Sequence, residues 1–178
     1  MTEAYQKDEK QGRRRFLKYA GAAIVAVAAA VVGYYAYTQY GPKRTEGMPK
    51  REYIISLVNE AANLIEEKGE EFFPELRQKG SKWSHGEYYV FVWRIDGIRV
   101  VYPPDPSGEG EDMNDLKDPD GKPIGRLIID IAKSEKGEGW IDYRWPKPGE
   151  TEPSKKYTFI KRAKSSYQTY LVGSGYYE

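Results

Sequence analysis

Cysteine is absent from this chain of 178 residues, and histidine occurs once, as His85. The first absence excludes disulfide frameworks, thiolate zinc sites and cysteine nucleophiles; the second excludes any centre needing two imidazoles. A Gly-x-Ser-x-Gly elbow is missing as well. Gly173-Ser174-Gly175 reads as a strand serine between glycines, and His85, between Ser84 and Gly86, reads as a turn residue. Without a positioned nucleophile or acid/base set, the sequence reads as a non-enzyme for which no cofactor is expected. Nucleic acid is excluded on similar grounds. The 28 Lys and Arg are matched by 27 Asp and Glu, and the one compact basic cluster, Lys161-Arg162-Lys164, is too small for a phosphate-tracking surface.

What is present bounds the answer. Hydrophobic residues make up 39% and charged residues 31% of the chain, the balance of a globular protein with one ordinary domain and an appendage. Residues 1–18 form a basic segment in which Arg13-Arg14-Arg15-Phe16-Leu17-Lys18 fits the twin-arginine export pattern, with Arg13, Arg14, Phe16, Leu17 and Lys18 as its signal residues. An uncharged Ala/Val-rich run from Tyr19 to Tyr37 follows, within a hydrophobic segment spanning 19–40. At about 1.5 Å per residue it is long enough to span a bilayer and equally serves as a signal segment. Its small-residue triplets lie inside the run, which favours a retained anchor; an ordinary secretion segment whose arginines only satisfy the positive-inside tendency is the alternative. Residues 41–49, rich in Gly and Pro, read as a linker.

The domain expected from residue 50 onward opens with an apolar stripe of Ile54, Leu57, Val58, Ala61, Leu64 and Ile65, three and four residues apart, which predicts a long amphipathic helix interrupted at Gly69. A second helical piece is predicted over Glu70 to Gln78. Tyr88 to Ile95 and Ile98 to Tyr102 flank Asp96-Gly97, a strong hairpin signal. Alternation places Tyr89, Phe91 and Trp93 on one face of the first strand and Tyr88, Val90, Val92 and Arg94 on the other, one face for the helix and one for a ligand. Pro103 to Pro123 is a long acidic loop. Asp112, Asn114 and Asp118 lack the glycine and distal glutamate of a calcium loop, so it reads as a solvated loop over a pocket mouth, with a bound cation as the lesser alternative. Ile124 to Lys133 predicts a short helix with Leu127, Ile128, Ile131 and Ala132 inward. Gly139 to Trp145, Lys155 to Lys164 and Tyr170 to Tyr177 predict three consecutive antiparallel strands, dense in Tyr and Trp.

Six motifs occur in order: Tyr89-Val90-Phe91-Val92, Tyr102-Pro103, Asp118-Pro119-Asp120-Gly121-Lys122, Gly139-Trp140-Ile141-Asp142-Tyr143, Lys156-Tyr157-Thr158-Phe159-Ile160-Lys161-Arg162 and Val172-Gly173-Ser174-Gly175-Tyr176-Tyr177. In that order and spacing, from Pro49 to Glu178, the chain resembles the Cache superfamily of extracytoplasmic sensor domains, in particular the single-Cache type. The resemblance implies an α+β, PAS-like fold in which a long N-terminal helix packs on a five-stranded antiparallel sheet, preceded by one signal or membrane helix. It also implies a pocket for a small carboxylate or amino acid. Tyr102 stands where members often carry His before Pro, and Phe159 where they often carry Tyr, so the pocket lining departs from the commoner pattern.

On that footing the expected ligand-binding residues are Phe91, Trp93, Tyr102, Tyr143, Trp145 and Lys156. Tyr143 and Trp145 share a strand face, as do Phe91 and Trp93; Lys156, at the family's Lys position, would neutralise a carboxylate, the alternative being that it snorkels to solvent beside Lys155. Two functions stay open: a sensor outside the cytoplasmic membrane, or an interaction subunit whose aromatic sheet meets partner proteins without a small ligand. No kinase or methyl-accepting region follows the last strand, so signal transduction is expected to need a protein partner.

Overall fold

The computed structural model describes residues 49–178. Arg13, Arg14, Phe16, Leu17, Lys18 and the run from Tyr19 to Tyr37 lie outside the described residues, and with them the expected export signal and anchor. Among the described residues no helix is long and apolar enough to cross a membrane.

The first helix, α1 (Lys50–Lys68), starts behind Pro49 and ends at Gly69. Its buried stripe is Ile54, Leu57, Val58, Ala61, Ala62 and Ile65; Leu64, expected in the stripe, is only partly buried against the same core. The second helical piece is tighter than expected. A 3-10 turn (Gly69–Phe72) leads into α2 (Phe73–Arg77), with Pro74 in its first turn, and Phe72, Phe73 and Leu76 enter the core.

The single strand expected over Tyr88 to Ile95 is broken at Val90. Ser84–His85 (β1) pairs with Tyr88–Tyr89 (β2) as a separate ribbon, and Phe91–Arg94 (β3) enters the main sheet. His85 is therefore a strand residue, placed against α1 with Nε2 3.4 Å from the Tyr53 hydroxyl. The main sheet continues with Arg99–Val101 (β4), Glu138–Pro146 (β5), Pro153–Lys164 (β6) and Thr169–Tyr177 (β7). Its order is β4-β3-β7-β6-β5 with every pair antiparallel. Asp96-Gly97 turns the β3–β4 hairpin as expected, Gly97 supplying a φ of 102° that a side chain would resist.

Each face of this sheet carries its own core. One buries Val90, Val92, Val101, Phe159, Ala163 and Val172 beneath α1 and α2. The other buries Tyr89, Phe91, Trp93, Ile141, Tyr143, Ile160 and Leu171 beneath α3 (Ile124–Lys133) and the loop that precedes it. The alternation read from the β3 sequence thus holds on both faces. On α3 the expected inward set is corrected: Ile124, Ile128, Ile129 and Ala132 are buried, whereas Leu127 and Ile131 are half-exposed at the flanks. Gly125 seats the helix against the loop: its N–H donates to Leu116 O at 3.0 Å, and a β-carbon there would collide with Met113 O.

The acidic loop is built rather than merely solvated. Its 109–112 stretch lies along the free edge of β4, where Arg99 N–H donates to Glu111 O and Gly110 N–H to Arg99 O, which closes an edge that would otherwise be open to pairing. Asp118 is buried and clamps the loop's end: Oδ1 accepts from the N–H groups of Asp120 and Lys122, and Oδ2 from Arg144 N–H on β5. Burial raises its pKa, but the bonds from Arg144, Lys122 and Asp120 outweigh that and hold it below the ordinary value. Among the described residues no group of three or more acidic or imidazole side chains is arranged to hold a metal.

Candidate functional site

The α3 side of the sheet encloses a small cavity of about 20 Å³, room for roughly one water molecule. The sheet supplies its floor. β3 contributes Phe91 and Trp93, β5 contributes Tyr143 and Trp145, and Leu116, Ile124 and Ile128 form the roof. Tyr102, just past β4, and Tyr89 on β2 complete the wall, with their rings edge to face at 5.8 Å.

Two glycines make this floor possible. On β7, Gly173 lies opposite both Phe91 and Ile160, and a β-carbon there would collide with the Phe91 ring and come within 2.8 Å of Ile160 Cδ1. Gly175 lies opposite Thr158, and a β-carbon there would collide with Tyr157 O and stand 2.7 Å from Thr158 Oγ1 and 2.9 Å from Lys156 Cε. The requirement at both positions is space, so the Phe91 ring and the lysine stem can lie down on the sheet.

Five of the six expected site residues, Phe91, Trp93, Tyr102, Tyr143 and Trp145, line this one cavity. Lys156 does not, which corrects its expected place in the lining. It is fully buried behind Tyr89, with Nζ donating to the Tyr89 hydroxyl at 2.7 Å and lying 4.0 Å from the Tyr89 ring centroid and 5.0 Å from that of Tyr177. Snorkelling beside Lys155 is excluded by the same burial. Desolvation lowers its pKa to about 7, opposed in part by the charge of Glu87. The surrounding phenols move the other way: burial raises Tyr89, Tyr143 and Tyr177, so all three are neutral near pH 7.

The cation that does face the cavity is Arg99. Its guanidinium carbon sits 4.3 Å from the Tyr102 ring centroid. Nη1 makes only long contacts, to Gly108 O at 3.4 Å and Glu111 Oε2 at 3.3 Å, and Nε is buried without a partner. Sequence reasoning missed this residue. Strict alternation from Gly97 sets Arg99 and Tyr102 on opposite faces of one strand, but a bulge opposite Val92 and Trp93 gives β4 an extra residue, so Trp93 faces Arg99 while Val92 faces Val101.

A wider cleft of about 580 Å³ lies alongside, bordered by Asp105, Lys117, Lys147 and a rim of prolines. Tyr102 and Trp145 line both spaces. Trp145 Nε1 donates to the Tyr102 hydroxyl at 3.2 Å, so this bond lies where the cavity meets the cleft. Tyr102 is itself fixed from behind: Glu109 Oε1 accepts from Tyr102 N–H, and Arg77 at the end of α2 holds Glu109 with Nε and Nη2 while Nη2 also reaches Val100 O.

A buried guanidinium with an open donor, set in an aromatic wall that carries no carboxylate, is equipped to receive an anion with a small apolar body. Residues 50–178 match the family described as Cache domain, in its dCache_2 form. The chain belongs to this Cache domain family. The match establishes the superfamily; the single-Cache subtype expected from the sequence is a finer distinction that it does not make.

Among curated proteins, the Cache domain is similar to the methyl-accepting chemotaxis protein McpP of Pseudomonas putida, 28% identical over 96 residues that make up 54% of this chain and 17% of that protein. It is also similar to the sensor histidine kinase MctS of Rhizobium johnstonii, 33% identical over 89 residues, 50% of this chain and 18% of that one. The chain thus aligns with less than a fifth of each. Among solved structures, a periplasmic sensor domain of a chemotaxis protein superposes with a TM-score of 0.61 at 26% identity, covering 76% of this chain and 99% of that one. A Cache chemosensory domain described for its carboxylic acid recognition superposes at 0.56, with 24% identity over 72% of this chain and 90% of that one, a likeness of fold.

Proposed function

We propose that this protein is an extracytoplasmic sensor whose Cache domain binds a small organic carboxylate in the cavity beneath α3 and passes the signal to a partner. The observation that carries the reading is Arg99: a buried guanidinium facing an aromatic cavity, with Nε unpartnered and Nη1 held only by long bonds. An incoming carboxylate would satisfy these donors, with Tyr102 beside it. The cavity lining contains no Asp or Glu to pair an ammonium, which favours a simple organic acid over an amino acid.

The comparisons support the reading from outside the site, since the relatives are a chemotaxis receptor and a sensor kinase and one structural neighbour is described for carboxylic acid recognition. The described domain holds one five-stranded main sheet, in keeping with a single-Cache type. A membrane anchor or export signal in residues 1–40 would place it outside the cytoplasm.

A thermal-shift screen of the protein against organic acids and amino acids tests the proposal. A ligand at 100 times its dissociation constant should add about 2.7 kcal/mol of stability. The small volume of the cavity favours a second reading, in which the aromatic layer is a dry core and the protein works through its surface. A screen in which no acid shifts the transition would overturn the first reading in favour of the second.

A further inference from the structure

Lys156 is a buried cation that direct contact with a ligand does not use. It lies near the start of β6, directly across from Tyr143 on β5 and Tyr177 on β7. Its ammonium has three donors to satisfy. It makes one hydrogen bond, to the Tyr89 hydroxyl, and otherwise faces the rings of Tyr89 and Tyr177. Among the described residues no carboxylate comes within ion-pair distance of it: Glu87, the acidic group that acts on it, is 3.5 Å from Lys50 on α1, which also donates to Tyr177 O.

Apart from Glu87, the titratable groups packed around Lys156 are phenols. Tyr89 comes from β2, Tyr143 from β5, Tyr177 from β7 and Tyr102 from beyond β4, and the Lys147 ammonium lies 6.0 Å from the Tyr177 ring centroid. Within this shell Lys156 is therefore the group that exchanges a proton near neutrality. One ring separates its amine from the cavity, because Tyr89 contacts Lys156 and also lines the site.

That ring also carries a hydrogen bond that can reverse. A protonated Lys156 donates to the Tyr89 hydroxyl, whose own proton is then turned toward Tyr177, which in turn donates to Pro146 O. A neutral amine would instead accept from Tyr89. An anion in the cavity favours the first arrangement, since it places a negative charge near the ammonium in a poorly hydrated interior where such attractions are weakly screened.

We infer that the site takes up its carboxylate together with a proton on Lys156, so that the sensor reports an organic acid as the product of anion and proton concentrations. The inference rests on the carboxylate reading above. It requires that affinity fall as pH rises above neutrality, although acetate and propionate are themselves fully ionised there. It also requires that binding draw protons from the buffer.

Isothermal titration of the protein with acetate and with propionate, between pH 6 and pH 9 in phosphate and in Tris, separates the possibilities. Coupling predicts a dissociation constant that rises by up to tenfold per pH unit above the free-state midpoint of Lys156. It also predicts heats that differ between the two buffers by the uptake of up to one proton. In Lys156→Met, which keeps the length of the stem without its charge, both effects should vanish while binding persists at the weaker, high-pH level. Binding by the wild-type protein with a flat pH profile and equal buffer-corrected heats would overturn the coupling and leave the carboxylate reading intact. No binding of either acid at any pH would overturn both. The wild-type titration decides the matter even if Lys156→Met fails to fold.

Discussion

Arg99 and Tyr102 stand three residues apart at one edge of the sheet yet face the same cavity, the guanidinium stacked 4.3 Å from the phenol ring centre. The β4 bulge produces this pairing, and without it one of the two would point toward α1. The stack holds a flexible side chain against the ring, and Nε is buried beside it without a partner.

Arg99→Met should therefore separate binding from folding. It removes a charge-assisted bond proposed for the ligand, worth about 1.5 to 3 kcal/mol, so affinity for a carboxylate should fall roughly ten- to a hundredfold. Stability should change little, because losing the long Nη1 bonds to Gly108 O and Glu111 Oε2 is offset by removing Nε, a buried donor without a partner. Calorimetry and urea denaturation of the same sample check both halves. Undiminished binding would remove Arg99 from the site.

Much of the frame was legible before any coordinates, because period-2 and period-3.6 signals are local. The Asp96-Gly97 hairpin, the bounds of α3 and the two faces of β3 all follow from neighbouring residues. Arg99 was hidden because a bulge is set by how two strands pair, not by the sequence of one. Lys156 was expected in the pocket lining, but Tyr89, brought over it from β2, stands between it and the cavity, and that contact is not visible in the sequence of β6. The role of Gly173 depends on Phe91, 82 positions away in the chain and directly opposite in the sheet.

Glu109 tests how Tyr102 is held in place. Burial raises its pKa, but the bonds from Arg77 and from Tyr102 N–H more than offset this and leave it below the ordinary carboxylate value. The sign follows from that direction: its contribution is fully present above the unfolded value near 4.5 and is lost as pH falls through the lower folded value. Glu109→Gln should cost about 1 to 3 kcal/mol at neutral pH and flatten stability against pH below about pH 5. Denaturation midpoints across that range, for wild type and variant, give the comparison. A variant as acid-sensitive as wild type would show that other carboxylates set the acid limit.

Lys156 predicts a slope of the same sign at the other end of the pH scale. Its folded pKa, about 7, lies below the unfolded 10.5. Between these values the unfolded chain binds more protons than the folded one, so its contribution to stability rises with pH across that window. Relative to Lys156→Met, the wild-type protein should be least stable below pH 7 and should close much of the gap by pH 9. Urea titrations at pH 6.5 and pH 9 measure it; a gap that does not change with pH would mean that the amine titrates normally despite its burial.

Gly173 offers the most direct test of the floor. A methyl group there meets the Phe91 ring and Ile160 Cδ1 together, both of them buried. Gly173→Ala should destabilise the domain by about 1 to 3 kcal/mol, as overpacking in a closed core does. If the clash with Phe91 is the cause, shortening that side chain should relieve it, so Gly173→Ala combined with Phe91→Leu should lose less than the sum of the two single changes. A double-mutant cycle by chemical denaturation gives the coupling directly. Strict additivity would mean that the alanine strains the β7 backbone rather than displacing the ring, and the space under Phe91 would no longer explain the glycine.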